Sequence, residues 1–123
     1  MSVTCQQHLV SGPLDLIGLP YRLGADPCRH GAADCLSLAR SVLRFYEIES
    51  PTPQRSWYRR LRQGDLNVFP EQLELWGTVT DNVDRGTVAL CNAPTGYGLA
   101  VFIQEQPGWL NFGGQAVIWS PLR

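Results

Sequence analysis

The stretch Gly31-Ala-Ala-Asp34-Cys35-Leu36-Ser37-Leu38-Ala39-Arg40-Ser41-Val42-Leu43-Arg44-Phe45-Tyr46 sets the architecture. Ser37, Arg40, Ser41 and Arg44 recur at i, i+3, i+4 and i+7, while Cys35, Leu38, Ala39, Val42, Phe45 and Tyr46 take the other side. That spacing predicts an amphipathic helix over residues 35–46, with Asp34 as its N-cap. Cys35 then falls in the first turn, where unpaired backbone N–H groups and the positive helix end favour thiolate over thiol. Such a setting can lower a cysteine pKa from about 8.5 into the range ~3.5–7.5, and the same N–H groups can act as oxyanion donors. A cysteine on an apolar stripe also serves as a small buried hydrophobe. Both uses stay open at this level, because a nucleophilic thiolate also needs a base nearby.

Upstream lies a glycine-rich segment, Gly18-Leu-Pro-Tyr21-Arg-Leu-Gly24-Ala-Asp-Pro-Cys28-Arg-His30-Gly31, and before it residues 4–10 read as a short helix ended by Ser11-Gly12-Pro13. Downstream, Gln54–Gln63 and Pro70–Trp76 read as further helical turns. After Asp84 the character changes. Thr87–Cys91, Leu99–Gln104, Trp109–Phe112 and Ala116–Trp119 are short runs of β-branched and aromatic residues separated by Gly and Pro at hairpin spacing. Helices first and strands afterwards predict an α+β fold, N-terminal helices packed on a C-terminal antiparallel β-sheet, with residues 1–123 as one domain.

Composition narrows the chemistry. With 44% hydrophobic residues in 123, a core needs neither metal nor disulfide staples. Eleven acidic residues against ten basic leave a net charge of -1, which gives no electrostatic footprint for nucleic acid. Every basic residue is Arg, so lysine Schiff-base and P-loop lysine chemistries are excluded. The only histidines are His8 and His30. No segment is long and apolar enough to cross a membrane, and the N-terminus lacks a secretory pattern. Synthesis in the cytoplasm is therefore expected, with Cys5, Cys28, Cys35 and Cys91 as free thiols by default.

Gly18-Leu-Pro-Tyr21, Gly24 and Gly31-Ala-Ala-Asp34-Cys35-Leu-Ser-Leu together resemble the opening of the NlpC-type peptidoglycan cysteine peptidases, most closely the compact versions associated with bacteriophage tails. The resemblance is tight over residues 18–38 and looser over residues 12–122, with Tyr58–Gly77 similar to the family's middle region. It implies a minimal papain-like domain that cleaves peptide stems of the bacterial cell wall. By the same resemblance Cys35 stands at the nucleophile, Asp34 beside it, and Tyr21 at the tyrosine facing the site.

The likeness then breaks. The family's base is a histidine opening the second strand, and the matching stretch here is Gly98-Leu-Ala-Val-Phe102, with Gly98 at the histidine position. Asn111, in Trp109-Leu-Asn-Phe112, matches the polar residue that orients the imidazole. Losing a general base costs about 10²–10⁴ in rate. His30, five residues before Cys35, and His8 are the available substitutes.

The leading expectation is a catalytically inactive domain serving as a structural component of a phage tail or baseplate. Its partners would be other tail or baseplate proteins, with peptidoglycan as a further contact and no nucleic acid, and its final location a virion tail. One alternative is an active peptidoglycan endopeptidase using Cys35 with a non-standard base. Another is a metal or Fe–S protein using Cys5, Cys28, Cys35 and Cys91, which the absence of any Cys-x-x-Cys spacing argues against; no cofactor is expected. Arg55, Arg59, Arg60 and Arg62 read as a solvated helix face or as a surface for an acidic partner. Trp57, Trp76, Trp109 and Trp119 read as core or rim residues.

Overall fold

The computed structural model describes residues 10–93 and 96–121. A 3-10 turn at Pro13–Leu16 leads to four helices, α1 (Pro27–His30), α2 (Cys35–Phe45), α3 (Arg55–Arg62) and α4 (Val68–Leu73). Four strands follow: β1 (Val88–Ala93), β2 (Gly96–Ile103), β3 (Gly108–Gly113) and β4 (Ala116–Pro121). They form one antiparallel sheet in the order β1-β2-β3-β4. The chain is thus α+β, helices before strands.

Burial explains why α2 lies against this sheet. Leu36, Leu38 and Val42 are at most 2% exposed, and burying one such side chain stabilises by about 1.5–3 kcal/mol. Leu38, Ala39 and Val42 meet Val101, Ile103, Leu110 and Val117 in one cluster. Leu36 enters a second cluster with Trp57 and Leu61 of α3, Val68 and Phe69 of α4, and Leu99 of β2. Strand β2 joins both, so Leu99–Ile103 is buried throughout and reads as a continuous apolar run.

Several elements depart from the sequence reading. Ser11-Gly12-Pro13 opens a 3-10 turn, because Asp15 accepts hydrogen bonds from the Ser11 and Gly12 N–H groups and Pro13 takes the first helical position. The short helix expected before it lies, but for Val10, outside the described residues. Helix α1 was not anticipated; Asp26 caps it through the Arg29 N–H at 3.0 Å, with Pro27 at N1 and Gly31 (φ +64°) closing it. Helix α4 starts at Val68, two residues earlier than expected, since Pro70 sits in a first turn whose N–H groups have no intrahelical partner. Strand β2 also starts early, at Gly96, which brings Gly98 into the sheet opposite Cys91.

The arginines of α3 are not a uniform solvated face. Arg60 bridges Asp65 at 2.8 Å and Glu71 of α4 at 2.5 Å, tying two helices together. Trp57 is core, while Trp76, Trp109 and Trp119 are half-buried; Trp109 stacks edge-on to Phe102, and the Trp119 indole donates to the Gln106 carbonyl.

Candidate active site at the start of helix α2

Asp34 is 2% exposed and organises the segment on either side of it. Its Oδ1 accepts from the Ser37 N–H at 2.8 Å, and the Ser37 hydroxyl accepts from the Asp34 N–H at 2.9 Å. This reciprocal cap has serine where a capping box usually carries Glu or Gln. Its Oδ2 accepts from the Gly24 N–H at 2.7 Å, so the same carboxylate fastens the glycine-rich loop to the helix. Burial raises the Asp34 pKa, against the lowering by these donors. Gly24 has φ +82°, the left-handed region open to glycine.

The segment before the loop is held at both flanks. Pro20 bridges Ala116 of β4, Tyr21 bridges Ala33, and the Tyr21 N–H donates to the Gln115 carbonyl at 2.7 Å. The Tyr21 ring meets Phe112 edge-on at 5.1 Å. Its phenol stays 45% exposed, and burial together with the neighbouring Cys35 and Asp34 pushes its pKa up to about 12.

Cys35 occupies the first position of α2 as a free, partly buried thiol. The sulfur faces β2. A β-carbon built on Gly98 would sit 3.8 Å from it, an ordinary van der Waals separation, and the Leu99 N–H hydrogen-bonds toward it. Cys91, paired with Gly98 across the β1–β2 ladder, is near enough to act on it electrostatically. Burial pushes the Cys35 thiol above its ordinary range, with Asp34 and Cys91 adding to the rise and the Leu99 N–H opposing it. The helix end therefore does not yield the depressed pKa of an activated thiol.

Gly98, the position matched to the missing histidine, thus does face Cys35, and Tyr21, Asp34 and Cys35 lie together. His30 does not join them. It is exposed on α1, its Nδ1 accepts from the Asp26 N–H at 2.9 Å, and it is not among the groups acting on the Cys35 thiol. His8 lies outside the described residues. The Asn111 amide is turned to β4, donating to Ser120 Oγ at 3.4 Å.

Sequence reasoning joined Cys91 to Cys35 only as a candidate metal ligand, and it missed Tyr58. Cys91 reaches the site only through the β1–β2 register. Tyr58 of α3 faces Asp34, and burial with that carboxylate raises the phenol pKa. No local pattern marks either residue. The thiol default is corrected at Cys28, which is disulfide-bonded, whereas Cys35 and Cys91 are free. Three His, Cys, Asp or Glu side chains placed to hold a metal ion occur nowhere among the described residues. None of the described helices is long and apolar enough to cross a membrane. No family model, curated protein or solved structure matches this chain.

Proposed function

We propose that the chain is an NlpC-type, minimal papain-like domain that keeps the cysteine side of a cysteine–histidine pair and lacks the base, and that it works by its fold as a structural part of a phage tail or baseplate. The observation carrying this reading is Gly98 against the Cys35 sulfur: the place from which an imidazole would take the thiol proton holds no side chain. The raised thiol pKa supports it, because a neutral thiol with no imidazole beside it among the described residues is a poor nucleophile, and no imidazole there could protonate a leaving amine. A cysteine-led helix packed on an antiparallel sheet supports the papain-like comparison, and the close match of residues 18–38 supports the tail-associated branch.

Digestion of purified muropeptides by the wild-type chain and by Cys35→Ala tests the catalytic part. Equal, background-level product from both is expected; product that depends on Cys35 would establish the active endopeptidase instead. Mass spectrometry of assembled virions tests the structural part, with the chain expected at stoichiometric levels in tails. Its recovery only as a free monomer would reject that role.

A further inference from the structure

The two edges of the sheet differ. The outer edge of β4 is closed by residues 18–21: the Gly18 N–H donates to the Val117 carbonyl at 2.8 Å, and the Val117 N–H donates to the Leu19 carbonyl at 2.9 Å. At the other edge, β1 pairs with β2 alone, and no backbone hydrogen bond from another described segment reaches Val88–Ala93. An open edge presents unpaired N–H and C=O groups to any extended chain.

A cleft of about 610 Å³ lies beside that edge. Val88 and Leu90 line it from β1, and their cross-strand partners Val101 and Leu99 lie in the helix-packed core clusters. Trp76 and Val79 line it from the segment after α4, with Leu90 38% exposed and Val79 fully exposed. In an antiparallel ladder, residues opposite one another share a face. A strand added to β1 would therefore send alternate side chains into this cleft. Among the described residues the charged side chains lining it are Glu49 and Glu74, and Glu49 also borders Arg40 and Arg44 in the adjoining hollow.

We propose that β1 and this cleft form a docking site for an extended segment of a partner protein, one that alternates small aliphatic side chains and is flanked by Lys or Arg. The added strand makes main-chain hydrogen bonds to β1, its inward residues fill the cleft, and its cationic flanks meet Glu49 and Glu74. Cys35 does not line the cleft, and the docking does not depend on whether that thiol is catalytic.

Titration of the full chain with the peptide acetyl-Lys-Val-Thr-Val-Thr-Val-Lys-amide, followed by amide NMR shifts, tests the proposal. Saturable binding is expected, with shifts concentrated at Thr78–Thr80 and Val88–Leu90. The Glu-flanked peptide should bind about tenfold more weakly at low salt. Leu90→Arg should abolish binding, and the exposed pair Glu49→Lys with Glu74→Lys should reverse the flank preference without touching the core. Absence of binding, equal affinity for both peptides, or shifts centred elsewhere would overturn the proposal. So would a concentration-dependent dimer of the chain that Leu90→Arg dissociates, since the occupant would then be a second copy.

Discussion

The two sides of the Cys35 site are built to different standards. On the α2 side, Asp34 is buried and accepts from the backbones of Ser37 and Gly24, Ser37 answers it, and Tyr21 is held by the Gln115 carbonyl and by Ala33. On the β2 side, Gly98 presents nothing but backbone. The difference separates residues that hold the fold from residues that would serve only chemistry. Asp34 and Gly24 hold a helix and a loop in place, so folding requires them whatever the chemistry. A base opposite Cys35 would serve only proton transfer, and the strand pairs with Cys91 without it.

If the α2 side is structural, Asp34→Ala gives the largest effect. It removes a helix cap, worth about 0.5–2 kcal/mol, and hands the Gly24 N–H, on an exposed residue, over to water. A loss of about 1–2 kcal/mol in urea unfolding is expected; a loss below about 0.5 kcal/mol would erase the contrast.

The β2 side can be rebuilt. Gly98 lacks a positive φ, and its β-carbon direction is open to within 3.8 Å of the sulfur, so Gly98→His places an imidazole against the thiol. Iodoacetamide should then modify Cys35 at least about tenfold faster at neutral pH, equivalent to about one pK unit. An unchanged rate would mean that an imidazole at position 98 does not activate the thiol.

The smallest effect sharpens the comparison through pH. The folded state holds Cys35 as neutral thiol, with its pKa above the unfolded value of about 8.5. Its contribution is then complete below that value and disappears as pH rises through the folded pKa. The stability difference between wild type and Cys35→Ala should therefore stay constant from about pH 6 to 8 and shrink above about 9. A difference that grew with alkaline pH would indicate a stabilised thiolate, as in an activated nucleophile.

How far the sequence could be read varied with the range of the interaction. The periodicity from Cys35 to Phe45 and the cap at Asp34 were legible because capping and amphipathicity act over three or four residues. The four strands were legible as apolar runs, though Gly96–Gly98 was not, since a glycine joins a strand only when a partner's register draws it in. His30 could be named a substitute base from its nearness in sequence. In the fold its ring is spent on the Asp26 N–H, which no spacing argument anticipates.

By itself the sequence determined the order of helices and strands, the position of Cys35 at a helix start, and the lack of a histidine after residue 30. All three are properties of composition and short-range pattern. Only the tertiary structure decided that Gly98 faces Cys35, that Cys91 and Tyr58 stand near the site, that burial raises the thiol pKa, and that one sheet edge is closed while the other lies beside an acidic cleft. Those facts depend on strand register and on which surfaces exclude water, and both are fixed by contacts between residues far apart in the chain.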